Sequence, residues 1–312
     1  MSAASLPRGV LSIHALPADH HDGPWDSIVT PAETKERLLG ALVLRLLHGS
    51  RLAAGDVPLH GIVMLIGPPG TGKTTLGRGA AQEAARAVAA RGATTFAEID
   101  PHALPSDLLG ETQRNVTRLL REVIPELAAY RPHTVVLVDE VESFAVRRSA
   151  ASFETNPVDV HRATDAVLAG VDELAQRCPT VAFVVTSNFV EAVDEAFLSR
   201  ADLVLHLELP DVTTRTAILA LALRDLASLW PPLAHLASDA ELCDELAKRC
   251  DGWDGRRLRK LPLQAIARTA RTAADPTRIT AADLLEAAAQ PLLLPGVATG
   301  GGPAWGGSPI RG

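Results

Sequence analysis

The run Gly67-Pro-Pro-Gly-Thr-Gly-Lys-Thr74 constrains this chain more than any other feature. It directly follows the apolar run Ile62–Ile66 and opens a helical stretch near Thr74, giving the order strand, glycine-rich turn, helix. Glycines in such a turn let backbone N–H groups face inward and wrap a phosphate. The amino end of the following helix adds positive dipole, Lys73 has the reach for β- and γ-phosphates, and the Thr74 hydroxyl can ligate Mg²⁺. Gly67, Pro68, Pro69, Gly70, Thr71, Gly72, Lys73, Thr74 and the adjoining Thr75 are the candidate nucleotide-binding residues. ATP and Mg²⁺ are the expected ligands.

The surrounding pattern predicts an α/β fold. Apolar runs at 61–66, 94–99, 135–138 and 181–186 are each followed by helical sequence, and a further run, 203–207, ends at Pro210. Buried runs alternating with helices imply a parallel five-stranded sheet covered by helices on both faces. A helix is expected from Pro31 to His48, with Thr30 as its N-cap. After Pro210 the stretches 212–229, 238–250, 256–272 and 281–290 read as helices with no strands between them, a separate all-helical domain. The expected boundaries are a loose tail over 1–24, a large domain over 25–210, a helical domain over 211–292 and a disordered tail over 293–312. Pro7, Pro17, Gly23 and Pro24 without periodicity motivate the first tail, and the glycine-rich end the second. His20 and His21 carry metal-binding side chains between Asp19 and Asp22, but their surroundings favour a solvated tail.

Other chemistry-bearing residues sit at strand ends. Val135-Val-Leu-Val-Asp139-Glu140 closes a strand on two acids. Beside a phosphate loop, Asp139 would complete the Mg²⁺ shell with Thr74, and Glu140 could orient and polarise an attacking water. Asn188 directly follows the stretch Val181–Ser187, where a group touching the γ-phosphate or that water would sit; a turn-forming Asn is the alternative. Arg200, just before the last strand, is either a surface ion pair or an arginine finger reaching a neighbouring subunit. Gly252-Trp-Asp-Gly-Arg256-Arg-Leu-Arg-Lys260 crowds cations at a helix start, where the dipole disfavours them, so a compensating anion is expected. Nucleotide phosphate, the local acids Asp251 and Asp254, and nucleic acid are the candidates, the last disfavoured because one short basic cluster sits on a net acidic chain.

Composition excludes several classes. The 312 residues are 47% hydrophobic and 21% charged, with 30 cations against 37 acids and a net charge of −7. That leaves no basic field for phosphodiester or anionic lipid, so direct nucleic-acid binding and membrane association are not expected. No apolar run approaches a membrane span, and the amino end does not read as a secretory signal. Cys178, Cys243 and Cys250 cannot all pair, and with no CxxC the chain reads as reduced and cytoplasmic. Cys243 and Cys250, seven apart on one helical face, read as core.

The order of phosphate loop, Asp139-Glu140, Asn188, Arg200 and Arg256 resembles an AAA+ ATPase, an α/β core with a helical lid. More narrowly, Val138-Asp-Glu-Val-Glu-Ser143, Asn156-Pro to Asp172, Thr186-Ser-Asn188, Asp194 to Asp202 and Gly255 to Pro262 resemble the pachytene-checkpoint (thyroid-receptor-interactor) remodellers. The resemblance implies a homohexamer that hydrolyses ATP to unfold part of a HORMA-domain client. In bacteria such members work in antiphage systems beside a HORMA protein and a cyclic-oligonucleotide synthase. It also implies roles: Asp139 as metal acid, Glu140 as catalytic base, Asn188 as first sensor, Arg200 as finger in trans and Arg256 as second sensor. Trp25 and Ile28 would lie against the adenine, and Leu108 and Leu109 would form the client-gripping pore loop, where the family carries an aromatic. Eukaryotic members have an amino-terminal recognition domain, and the residues before Trp25 are too few for one, so direct grip on the client is expected. Two other readings stay open: an AAA+ unfoldase with another client, and an ATP-gated nucleic-acid loader or switch.

Overall fold

The computed structural model describes residues 6–55, 59–104, 110–143 and 157–289. Its first element is unexpected. Strand β1 (Val10–Leu16) lies within the stretch read above as a loose tail. It pairs antiparallel with a later strand, with a bulge between Val10 and Ser12 that leaves Leu11 56% exposed. The bulge breaks the two-residue alternation by which a strand is recognised in sequence.

Helices α1 (Pro24–Ser27) and α2 (Ala32–Ala54) follow, then β2 (Ile62–Ile66), α3 (Lys73–Val88) and β3 (Thr94–Ile99). Next come α4 (Glu111–Arg118), a π-helical turn over Leu119–Val123, α5 (Ile124–Ala129) and β4 (His133–Val138). The large domain ends with α6 (Pro157–Arg177), β5 (Val181–Ser187), α7 (Glu195–Leu198) and β6 (Leu203–His206). The sheet is six-stranded, in the order β1-β3-β4-β5-β2-β6, and every pairing except that of β1 is parallel. The expected five parallel strands are present, and β1 adds an antiparallel edge. Pro31 takes the N-cap position of α2, one residue beyond the expected Thr30.

Alternation along the central strands separates two cores. Val63 and Leu65 face Leu38, Leu42 and Leu46 of α2 and the small side chains of α3, while Met64 and Ile66 face α4, the π-turn and α6. A third cluster is built by α8 (Val212–Leu229), α9 (Ala234–Ala237), α10 (Ala240–Arg249), α11 (Gly255–Ile266), α12 (Ala270–Ala274) and α13 (Ala281–Ala288). Cys243 and Cys250 are buried in it, and burial pushes the Cys250 thiol up to about 11. The helix expected over 256–272 is divided, because Thr269 caps a new start by accepting from the Thr272 N–H. Leu108 and Leu109, and the expected tail over 293–312, lie outside the described residues.

The two faces of the sheet are locked at one end by Arg45, only 2% exposed on α2. Its guanidinium donates to the carbonyls of Val181 (2.9 Å), Leu59 (2.7 Å) and Ala175 (3.1 Å), joining α2 to the starts of β2 and β5 and the end of α6. Burial holds this cation below its ordinary pKa. Removing it strands three carbonyls and opens a cavity, each a destabilising term. Arg45→Ala is expected to cost about 3 kcal/mol or more, read as a lower midpoint of urea unfolding with the slope unchanged.

Candidate nucleotide site

Sheet order creates the site. With β5 between β4 and β2, the carboxyl ends of three neighbouring parallel strands meet, the usual ligand position in an open α/β sheet. Ile66 pairs with Ser187 and Val138 with Val185, so the residues just past each strand converge.

The glycine-rich loop turns directly from β2 into α3. Gly72 is the N-cap of α3 in the left-handed region, at φ 93°. A Cβ there would lie 2.5 Å from Ile28 Cδ1, so the position needs glycine for its backbone and for close contact with the preceding segment. Lys73 Nζ donates to the carbonyls of Gly67 (2.7 Å) and Pro68 (2.9 Å), which aims its ammonium back over the loop. Burial pulls its pKa below the ordinary lysine range, opposed by the charges of Asp139, Glu142 and Glu140. An anionic phosphate at this cation would be favoured for the same reason.

Asp139 accepts a hydrogen bond from Thr74 Oγ1 at 2.7 Å and another from Thr186 Oγ1 at 2.5 Å, both on Oδ1. A threonine hydroxyl and a carboxylate in contact at the head of the helix form the hard-oxygen pair that suits Mg²⁺, whose remaining positions water and phosphate can fill. Glu140 has a positive φ of 56°, an uncommon conformation for a residue with a side chain. Its backbone N–H donates to Thr186 Oγ1 at 3.0 Å, which holds the turn. One carboxylate oxygen accepts from Asn188 Nδ2 and the other contacts His102 Nε2, both at 3.0 Å. Asn188 is fixed in turn through its own N–H, which donates to Glu142 Oε1 at 3.0 Å.

The structure therefore brings Lys73, Thr74, Asp139, Glu140 and Asn188 together, and it adds three residues to which sequence reasoning gave no role. Thr186 and Glu142 stood inside quoted motifs without a role of their own, and His102 lies in the short 3-10 turn Pro101–Ala103, which has no distinguishing pattern. Each acts through a neighbour's geometry, which spacing along one chain does not reveal.

Arg256 approaches from α11. Its backbone N–H donates to Gly70 O at 3.1 Å, docking the helical domain directly on the phosphate loop. Two cavities of about 350 Å³ and 330 Å³ share Gly70, Gly72, Thr75 and Arg256 in their linings. The first adds Ile28, Val29 and Ile218, giving it an apolar wall; the second adds Lys73, Asp139, Glu140 and Asn188. An apolar compartment joined to a charged one matches a base and its polyphosphate. Arg200 stands elsewhere, at the opposite end of the sheet. It makes a bidentate pair with Asp172 at 2.7 and 2.8 Å, which holds the Asp172 carboxyl below its usual range.

Comparison with known proteins agrees with this geometry. Residues 63–209 match the family "ATPase family associated with various cellular activities (AAA)". The chain is 42% identical to CD-NTase-associated protein 6 of Pseudomonas aeruginosa over 289 residues, 93% of this chain and 94% of that protein. It is 32% identical to the pachytene checkpoint protein 2 homolog of Gallus gallus over 80% of this chain, and spans 62% of that relative's length. Among solved structures, C. elegans PCH-2 matches with a TM-score of 0.70 and 23% identity, covering 90% of this chain and 75% of that one. The E. coli MS115-1 HORMA:CdnC:Trip13 complex contains a chain matching at TM-score 0.72 and 20% identity, covering 89% of this chain and 94% of that one.

The wall of the apolar compartment depends on one close approach. Gly79 of α3 faces α1, and a Cβ there would lie 2.6 Å from Trp25 N and 2.7 Å from its Cα. Gly79→Ala must push α1 and the attached Ile28 outward while leaving the phosphate loop in place. Nucleotide affinity should fall about fivefold or more, with the turnover rate at saturating ATP changed less than about twofold. Fluorescent-nucleotide titration and steady-state kinetics check both parts.

Proposed function

This chain belongs to the AAA ATPase family, in its pachytene-checkpoint (thyroid-receptor-interactor) branch, and on that footing we propose that it is a cytoplasmic, homohexameric ATPase that partly unfolds a HORMA-domain client. The observation that carries the hydrolytic half is the arrangement of Glu140. Its carboxylate is held by Asn188 and His102 just beyond the Thr74–Asp139 pair, where the γ-phosphate of a nucleotide gripped by Lys73 would end.

Lys73 and the loop N–H groups bind the phosphates, and Thr74 with Asp139 holds the cation. Bound Mg²⁺ supplies positive charge to the phosphate oxygens as the terminal group departs. Glu140 orients a water and accepts its proton, while Asn188 keeps the carboxylate aimed and senses the phosphate. Arg256 brings a cation from the helical domain, so that domain's position follows the nucleotide. Arg200 acts on the site of an adjacent copy. Leu108 and Leu109 grip an extended client segment in the central channel.

The client assignment is supported by two similar proteins: a relative associated with a CD-NTase, and a fold neighbour solved with HORMA and CdnC. Under this reading the protein acts beside a cyclic-oligonucleotide synthase in antiphage signalling, linked to it through the HORMA protein. Among the described residues no helix is long and apolar enough to cross a membrane, and all three cysteines are free, which supports the cytoplasmic placement. Net charge −7 favours a protein client over nucleic acid.

Glu140→Gln keeps the metal pair and removes the proton acceptor. It is expected to bind ATP with near-normal affinity, to turn over at less than about a tenth of the wild-type rate, and to hold the oligomer on its HORMA client in size-exclusion chromatography. Arg200→Ala and Lys73→Ala are each expected to be inactive alone. Mixed together they should regain hydrolysis at interfaces pairing an intact loop with an intact Arg200, since such arginines contribute roughly 10³–10⁵ in rate. Zero recovery in hexamers shown by mass spectrometry to be mixed would remove Arg200 from that role.

A further inference from the structure

The amino-terminal segment holds a cluster that the ATPase reading does not use. His14 on β1 and His20 and His21 in the turn before α1 each present a ring nitrogen, and the three nitrogens lie within 4.8 Å of one another. Their rings are in contact, with centroids 4.5 Å apart for His14–His21 and His20–His21 and 5.9 Å for His14–His20. His21 Nε2 is buried and has no hydrogen-bond partner among the described residues.

We propose that His14, His20 and His21 form a binding site for a borderline divalent transition metal, Zn²⁺ or a close relative. Three imidazoles and no carboxylate in the set select zinc, copper or nickel over Mg²⁺ and Ca²⁺, which prefer oxygen. Zinc at about 2.0 Å from each nitrogen places them roughly 3.3 Å apart, a contraction that ring rotation supplies, and it leaves a fourth position for water. Ligation through Nε2 of His21 would give that buried nitrogen a partner.

The surroundings give the site a mechanical role. His14 pairs across the sheet with Phe96, and His21 packs edge-on against the same ring at 6.0 Å. Immediately after His21, Asp22 accepts from Gln82 Nε2 at 2.6 Å and pairs with Arg86, both on α3. Gln82 also accepts from the Ala18 N–H at 3.1 Å and donates to the Ala18 carbonyl at 2.9 Å. A metal joining β1 to this turn fastens the chain onto the helix that begins at Lys73, just upstream of the Trp25–Ile28 segment. The site is a clamp on the amino-terminal segment, and its existence does not depend on the ATPase reading.

The test uses the full chain without a histidine tag, stripped with EDTA and exchanged into metal-free buffer without nucleotide. Zinc titration by calorimetry should give one Zn²⁺ per chain, and Co²⁺ should give the visible absorption of a four-coordinate site. Zinc should also raise the melting temperature. His20 is exposed, so His20→Ala keeps the fold and should weaken zinc binding about tenfold or more, abolishing the cobalt band and the melting shift. His14→Gln, checked by circular dichroism, should do the same. Wild-type affinity weaker than roughly 100 μM, or binding unchanged in folded His20→Ala, overturns the proposal.

Discussion

Asp139 accepts hydrogen bonds from Thr74 at the head of α3 and from Thr186 at the end of β5, while its own backbone extends β4. Three elements meet on one carboxylate oxygen, and the rest of the site inherits its geometry from that junction. The parallel register makes it possible: Ile66 opposite Ser187 and Val138 opposite Val185 bring the loop, the acids and Asn188 to the same level. Thr186 does a second job, accepting from the Glu140 N–H and so holding the left-handed turn that points the Glu140 carboxylate toward Asn188. The uncommon backbone at Glu140 is thus kept by the hydroxyl that fixes Asp139, coupling the two adjacent acids to each other.

The segment 25–29 has an equally specific position between two cores. Trp25 and Ile28 pack against the α2–α3 face of the sheet, and Val29, next in the chain, packs against the helical domain. Arg259 of α11 donates to the Ser27 carbonyl at 3.1 Å and pairs with Asp225 of α8. A ligand wedged between Ile28, the phosphate loop and Ile218 therefore touches both domains, and the Arg256 N–H on Gly70 O adds a direct backbone link. Two domains with separate apolar clusters, joined at the candidate nucleotide site by the 25–29 segment and a few polar contacts, can move as bodies when the contents of that junction change.

The parts of this design carried by local chemistry were legible in the sequence. The glycine-rich loop, Asp139 and Glu140 after a continuous apolar strand, and the change to helices after Pro210 all follow from period, turn chemistry and residue type. The antiparallel β1 was not, because the bulge at Leu11 interrupts its alternation and because His14 and Ser12 dilute its apolar face. Nor were the partners of Asp139 and Glu140. Thr186, His102 and Glu142 become site residues only through strand adjacency, and adjacency is set by sheet order, which no run of one strand encodes. His20 and His21 stand out in the sequence but read as a solvated tail, because the third histidine, His14, is brought to them only by the strand that the sequence does not reveal.

Arg200 shows how far one chain can complete the site. Asp202 accepts from the N–H groups of His60, Gly61 and Ile62, tying the loop that carries Arg200 to the start of β2. The phosphate loop leaves from the end of β2, and five residues of strand put about 17 Å between those points. An arginine side chain does not span that distance through a packed sheet, so Arg200 cannot reach the glycine-rich loop and Lys73 of its own chain. Its guanidinium is already oriented, with Asp172 taking both Nε and Nη2 and the Ala196 carbonyl taking Nη1. If Arg200 acts in trans as proposed, a bidentate pair of this kind preorganises the fork and must be exchanged, not merely extended, for a phosphate to replace the carboxylate. Under the hexameric reading, each copy binds nucleotide at the carboxyl end of its sheet and lends a cation from the amino end. Hydrolysis in one copy is then conditional on the placement of the next.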